Sequence, residues 1–260
     1  MKEAAARAAF GMFCLHACLS AQTTPSAIAP ATPAPAVRPI GWTRLIPNIV
    51  EDQKAIWLFP AKLGHRKYLF PTLAVVGVTA GLIAVDPFIS RYFATTNSFQ
   101  DLNKALPGRG ATYGLWLTPV ALYATGFFRK DAYMRDTALF AAEAVAGSEI
   151  LTTVMKDLDR RTRPAAVGLT NSFADGWFES KGKWYQGNGS FPSGHTIAAF
   201  AIATIVARRY SHHHWLPFAA YGIATLVAFS RVTLLSHFSS DVLMGAALGY
   251  SISRFVVLRQ

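Results

Sequence analysis

Three short motifs in the second half of the chain combine residue types that can bind and attack a tetrahedral oxyanion. They are the stretches 156–164 (KDLDRRTRP), 191–195 (FPSGH) and 230–241 (SRVTLLSHFSSD). Each motif taken alone is compatible with an ordinary basic stretch, a turn before a helix or a polar helix face. The three together, each at the end of an apolar segment, indicate one shared site.

The cations of these motifs are Lys156, Arg163 and Arg231. Phosphoryl transfer depends mainly on positioning and on neutralising the charge of the phosphate oxygens, which is what such cations do. Arginine presents a fork of donors to two oxygens, whereas lysine acts as a point charge. These three side chains are therefore candidate phosphate ligands.

The reactive groups are predicted to be the histidines and one carboxylate. His237 and Asp241 are four residues apart, so on a helix they would share a face. The carboxylate could accept the proton of one ring nitrogen and leave the other nitrogen free to attack phosphorus. His195 is a candidate general acid for the leaving oxygen.

The middle motif also predicts an anion-binding helix start. Ser193 and Gly194 precede the apolar run 196–207, where backbone N–H groups would point at an anion. Glycine at this position allows close approach of the backbone.

In combination the motifs resemble the signature of the type 2 phosphatidic acid phosphatase superfamily, which also includes soluble acid phosphatases and vanadate-dependent haloperoxidases. Lys-x6-Arg-Pro, Pro-Ser-Gly-His and Ser-Arg-x5-His-x3-Asp are all present without a departure. The resemblance implies a metal-independent phosphatase without a cofactor that forms a phosphohistidine. By position it makes His237 the nucleophile, with Asp241 and His195 as the other catalytic residues. It assigns phosphate binding to Lys156, Arg163, Ser193, Gly194 and Arg231.

The elements that must position these motifs are predicted to be helices. Strand alternation is absent, and each of six apolar runs has roughly the length of a short membrane span. The runs are Leu69–Val85, Ala111–Phe128, Thr137–Met155, Phe191–Ala207, Trp215–Ser230 and Val242–Leu258. We predict an all-α, six-helix membrane-embedded bundle. Glu143 and Glu149 should face its interior, because carboxylates inside a membrane are costly. The loops Asp86–Gly110 and Ala165–Ser190 should lie on the face of the site, and the first carries no evident function.

Composition supports this class. The 260-residue chain is 52% hydrophobic and 15% charged, and its net charge of +11 comes largely from cations flanking apolar runs. That pattern favours a membrane partner over nucleic acid. Four segments are predicted along the chain. Residues 1–21 have the form of a signal peptide and contain both cysteines. Residues 22–40 are predicted to be an Ala/Pro-rich disordered linker, residues 41–68 an interfacial amphipathic segment, and residues 69–260 the catalytic domain. The triplet His212–His214 is interpreted as solvated rather than metal-binding.

Topology leaves two alternatives. Alternating spans bring the three motifs to one face and Arg129, Arg208 and Arg254 to the other, so the positive-inside bias places the site at the outer face of a bacterial-type plasma membrane. A cleaved signal peptide followed by six spans would place it in the cytoplasm instead. The predicted function is hydrolysis of a phosphomonoester or diphosphate, with a lipid as the favoured substrate. Alternatives are a soluble exported acid phosphatase, a vanadate-dependent haloperoxidase and an anion-binding bundle without catalysis.

Overall fold

The computed structural model describes residues 38–167 and 176–259. The expected signal-like segment and most of the expected linker lie outside these residues. The helices are α1 (Trp42–Trp57), α2 (Arg66–Thr95), α3 (Gln100–Ala105), α4 (Gly108–Phe128), α5 (Ala132–Asp159), α6 (Pro164–Val167), α7 (Gly194–Arg209), α8 (Leu216–Thr233) and α9 (Ser239–Ser251). A 3-10 turn (Phe59–Lys62) follows α1, and a π-helical segment (Ile252–Val257) continues α9. In the described parts of the chain there is no strand, and the all-α prediction is confirmed.

Each of the six predicted runs falls largely within a helix, but the helices differ in length. Among the residues that the structure describes, three stretches are long and apolar enough to cross a membrane: α2, the stretch Ala132–Val167 that begins with α5, and α8. By contrast, α7 has 16 residues and α9 has 13. These two helices begin inside the bundle, at the loops that carry the second and third motifs.

The core lies where α7 crosses its neighbours. Alanine and isoleucine side chains of α7 pack against α5 and the C-terminal segment in one buried cluster that includes Phe140, Val145, Ile197, Ile205 and Val257. A second buried cluster joins α7 to α8 through Ala199, Ala203, Ala224 and Val227. Because α7 is surrounded, its N-terminal end is held in a fixed position relative to α5, α8 and α9.

Two glycines bring α9 against α7 at very short distance. A Cβ atom at Gly249 would lie 2.3 Å from the carbonyl oxygen of Ile197, and one at Gly245 would lie 2.9 Å from that of Ser193. Small residues spaced by four allow two helix backbones to approach in this way. Asp241 is a further four residues upstream, so this packing sets the carboxylate beside the start of α7.

Two sequence expectations about the bundle are wrong, and a third is confirmed. The loop expected from Asp86 to Gly110 is helical through Thr95 and again from Gln100, because Asp86 is buried in the bundle instead of ending the helix. Glu143 is buried as expected, in contact with Arg38 and Asn48. Glu149 is exposed, because it lies on the side of α5 that faces away from the bundle.

Candidate active site

The first motif lies at the end of α5. Lys156 belongs to the last turn of the helix and is only 8% exposed. The helix stops at Arg160, which adopts a left-handed conformation with φ 45°. Lys156 Nζ would be 3.8 Å from a Cβ atom placed on Gly194, so its ammonium group faces the start of α7.

The second motif forms that start. Ser193 is the residue that precedes α7, and its N–H donates to the carbonyl oxygen of Asp241 at 3.0 Å. A Cβ atom at Gly194 would come within 3.0 Å of Thr152 Cγ2 on α5, so a side chain here would push the two helices apart. The first N–H groups of a helix have no hydrogen-bond partners within it. In α7 these groups lie near Lys156 and can bind an anion.

The two arginines reach the same region from different sides. Arg163 donates to the carbonyl oxygens of Ser236 (3.3 Å) and Gly189 (3.5 Å). Arg231, only 1% exposed, donates from Nη2 to the carbonyl oxygen of Leu106 at 2.5 Å. Its Nη1 would be 3.7 Å from a Cβ atom on Gly108. The loop before α4 thus supports one of the candidate phosphate ligands.

His237 is held by a backbone carbonyl. Its Nδ1 lies 2.7 Å from the oxygen of Ser190, and the ring is 1% exposed. A carbonyl oxygen only accepts, so Nδ1 carries the proton and Nε2 keeps its lone pair when the ring is neutral. Burial lowers the pKa of His237 to about 4, against the opposing effect of Asp241, and the ring is therefore neutral at neutral pH.

The predicted arrangement of His237 and Asp241 is wrong in one respect. Asp241 is the third residue of α9, whereas His237 precedes the helix, so the two do not share a helix face. The reason is that the Asp241 side chain accepts from Phe238 N at 2.8 Å and thereby caps α9 after His237. Nδ1 lies 3.6 Å from Asp241 Oδ2, and the direct hydrogen bond goes to Ser190 instead.

Asp241 is completely buried among donors. Arg161 Nη1 lies 2.5 Å from Oδ1, and Ser190 Oγ donates to Oδ2 at 2.5 Å. Burial alone would raise the pKa of Asp241, but the surrounding donors and the charge of Arg161 hold it below its usual value. The carboxylate is consequently an anion, positioned beside the His237 ring.

His195, in the first turn of α7, is oriented by α4. Its Nε2 lies 2.7 Å from Thr112 Oγ1 and 3.2 Å from the carbonyl oxygen of Gly108. The Thr112 hydroxyl also lies 3.0 Å from that carbonyl, to which it donates. With an acceptor-only carbonyl as partner, Nε2 carries the proton, and Nδ1 is the nitrogen that can gain or lose one.

All eight sequence-predicted site residues therefore lie at one end of the bundle. Four further residues that sequence reasoning missed take part: Asp86, Thr112, Arg161 and Ser190. The sequence contained an indication of Arg161, because this residue lies inside the first motif. Asp86 and Thr112 come from helices outside the motifs, and only their tertiary contacts reveal them. The triplet His212–His214 is exposed beyond the C-terminal end of α7, away from this site.

Comparison with known proteins adds independent information. The family model of the PAP2 superfamily matches residues 137–260, which contain all three motifs. A lipid A 1-phosphatase of Porphyromonas gingivalis is 46% identical over 61 residues, which make up 23% of this chain and 14% of that relative. The crystal structure of a transmembrane PAP2-type phosphatidylglycerolphosphate phosphatase from Bacillus subtilis has a similar fold, with a TM-score of 0.50 and 23% identity, covering 80% of this chain and 94% of that one.

Proposed function

We propose that this chain, whose residues 137–260 match the family model of the PAP2 superfamily, is a membrane phosphatase that hydrolyses a lipid phosphate through a phosphohistidine. The observation that carries the proposal is the buried His237 ring. Its Nδ1 proton is donated to the carbonyl oxygen of Ser190, which leaves an unprotonated Nε2 as a nucleophile, and Lys156 and Arg163 are close enough to help lower the pKa of the ring.

In the first half-reaction Nε2 of His237 attacks phosphorus, and the bond from phosphorus to the leaving oxygen breaks. His195 transfers an Nδ1 proton to that oxygen. Burial and the charge of Arg231 lower the pKa of His195 to about 3, and the negative charge of a bound phosphate would oppose this shift and favour the doubly protonated ring that the step requires. Its Nε2–H remains bonded to Thr112 and Gly108 throughout, so the ring keeps its orientation.

In the second half-reaction a water molecule attacks the phosphorus of phospho-His237. Nδ1 of His195 takes the proton of the water, the N–P bond breaks, and inorganic phosphate leaves. Both histidines are then back in their starting protonation states, because His195 has regained on Nδ1 the proton that the next cycle requires.

The remaining residues stabilise charge. Lys156, Arg163 and Arg231 would neutralise the phosphate oxygens, helped by the N–H groups at the start of α7 beside Ser193 and Gly194. The ring of His237 becomes cationic when Nε2 forms a bond to phosphorus and Nδ1 keeps its proton. The Asp241 anion, 3.6 Å from Nδ1, favours that cation.

A lipid substrate is favoured by the surroundings of the site. In the candidate span of α2 only 6% of the residues are buried inside the molecule, which leaves an apolar helix exposed next to the active-site end. Both similar proteins are named as phosphatases of lipids. An exposed apolar helix of this length also argues against the soluble alternatives.

The first experiment measures phosphate release by the detergent-solubilised protein from a panel of phosphatidic acid, phosphatidylglycerol phosphate, a polyprenyl diphosphate, lipid A and a soluble phosphoester. Brief exposure to ³²P-labelled substrate should give an acid-labile label on the protein that is absent in His237→Ala. Since a group that acts as nucleophile is indispensable, activity should fall by about 10⁴-fold or more.

Phe255→Ala, at an exposed position of the π-helical segment, is the control and should label like the unaltered protein. Full phosphate release by His237→Ala would refute the mechanism. Release of phosphate only from the soluble ester would refute the lipid substrate while leaving the phosphohistidine intact.

A further inference from the structure

Arg161 lies in the first motif but does not point toward the candidate phosphate site. Its side chain is buried, with Nη1 at 2.5 Å from Asp241 Oδ1 and 2.7 Å from Ser240 Oγ. Nη2 donates to Asp86 Oδ2 at 2.9 Å. One guanidinium group therefore joins two buried carboxylates, and only one of them is near the nucleophile.

Asp86 reaches this group from α2, a candidate membrane span outside the region matched by the family model. It is 0% exposed, and its carboxylate also accepts from the backbone N–H and the hydroxyl group of Ser240. A buried carboxylate without a partner would be costly. Asp86 thus anchors α2 to Ser240 in the first turn of α9, three residues after His237 and one residue before Asp241.

Aromatic rings fix the plane of the guanidinium group. The Arg161 Cζ atom lies 4.0 Å from the centroid of the Phe238 ring and 4.7 Å from that of Trp177. A planar group with forked donors is suited to bridging two carboxylates between rings, and lysine does not reproduce this geometry.

We propose that Arg161 and Asp86 are positioning residues for the nucleophile. Arg161 holds the Asp241 carboxylate as an oriented anion 3.6 Å from His237 Nδ1, and Asp86 fixes Arg161 and offsets its charge, so that Asp241 keeps its effect on the ring. The inference rests on the proposed phosphohistidine mechanism, because its consequence is stabilisation of the ring cation formed on attack.

The charge balance explains why both residues are needed. Without Arg161, Asp241 would be a buried carboxylate with one charged partner fewer, and it would take up a proton and lose its charge. Without the negative charge of Asp86, the positive charge of Arg161 would be offset by Asp241 alone. The electrostatic effect of Asp241 on the His237 ring would then be weaker. Both changes act on the chemical step and leave the phosphate ligands in place.

The test compares kcat and KM for Arg161→Ala, Arg161→Lys and Asp86→Asn with Arg160→Ala as the matched control. Arg160 is the neighbouring arginine, and its guanidinium stacks on Trp184 without a contact to Asp241. We expect kcat to fall by about 10²-fold or more in Arg161→Ala and by about 10-fold in Asp86→Asn, with KM within about 3-fold, because only the transition state is affected. The kcat of Arg161→Lys should remain well below that of the unaltered protein, and the kcat of Arg160→Ala should equal it.

Guanidinium ion supplies a readout that a purely structural role would not change. At millimolar concentration it should restore kcat at least several-fold in Arg161→Ala and not in Asp86→Asn. Phosphate-induced stabilisation against heat, measured for each variant, shows whether the phosphate ligands are intact. If Arg161→Ala fails to fold, the comparison rests on Asp86→Asn, which is nearly isosteric with the native residue.

Two results would overturn the inference. One is an unchanged kcat in both Arg161→Ala and Asp86→Asn. The other is a raised KM at unchanged kcat in Arg161→Ala, which would make Arg161 a substrate ligand. Failure of the proposed function gives a different result, because the unaltered protein itself would then release no phosphate or carry no label on His237.

Discussion

At the scale of single residues, the two histidines of the site depend on acceptors that belong to no motif. The carbonyl oxygen of Ser190 keeps the proton of the neutral His237 ring on Nδ1. Gly108 and Thr112 likewise keep a proton of His195 on Nε2. In the proposed mechanism, the direction of proton transfer therefore follows from two loops and the first turn of α4. A residue such as Thr112 can consequently influence catalysis without touching phosphate.

Thr112→Val should reduce kcat and leave KM nearly unchanged. A hydrogen bond to a group that becomes charged contributes about 1.5–3 kcal/mol, so the expected loss is about 10- to 100-fold. Steady-state kinetics with the best lipid substrate provides the measurement. Thr118→Val is the matched control, because its hydroxyl also donates to the carbonyl four residues earlier but has no histidine partner. Equal kcat values for the two variants would show that Thr112 does not orient His195.

At the scale of helices, close packing of α9 on α7 places Asp241 and His237 beside the second motif. Gly245 and Gly249 make this possible, because any side chain there would meet the backbone of α7. The geometry of the active site is thus set partly by residues that carry no reactive group.

Gly249→Ala should destabilise the protein by about 1–3 kcal/mol, because the new methyl group would overlap the carbonyl oxygen of Ile197 and force the helices apart. Thermal unfolding in detergent should show a lower Tm, and kcat should fall as Asp241 moves. Gly222→Ala, on the exposed side of α8, has nothing within 4 Å and should raise Tm slightly or leave it unchanged. A Tm for Gly249→Ala equal to that of Gly222→Ala would contradict this account of the packing.

The same helices show what the sequence could and could not reveal. Apolar runs predicted the all-α class and the approximate positions of the helices, because hydrophobic length is a local property. They did not predict that α2 continues past Asp86, since a carboxylate normally ends an apolar run and its partner Arg161 is distant in sequence. Likewise, the motifs predicted which residues meet at one end of the bundle but not the hydrogen-bond acceptors of the two histidines, which depend on packing between helices.

For the whole molecule, the arrangement of charge bears on the orientation in the membrane. The site lies at the end where α5 and α8 finish, whereas Arg129, Arg208 and Arg209 lie at the opposite end of the bundle. Asp86 lies near the C-terminal end of α2 and contacts Ser240 beside the site, so Arg66 and Lys67 begin this helix at the far end too. Positive residues concentrate there, and we predict that the far end is cytoplasmic and the site faces outward.

Cysteine labelling tests this orientation. Both native cysteines, Cys14 and Cys18, are first replaced by serine, and single cysteines are then introduced at Tyr185, 84% exposed beside the site, and at His213, exposed after α7. In spheroplasts, a membrane-impermeant maleimide should modify Tyr185→Cys directly and His213→Cys only after permeabilisation. Retained phosphate release by each variant serves as the control for correct folding. The reverse labelling pattern would place the site in the cytoplasm, as a cleaved signal peptide followed by six spans requires, and substrates would then have to be lipids of the inner leaflet.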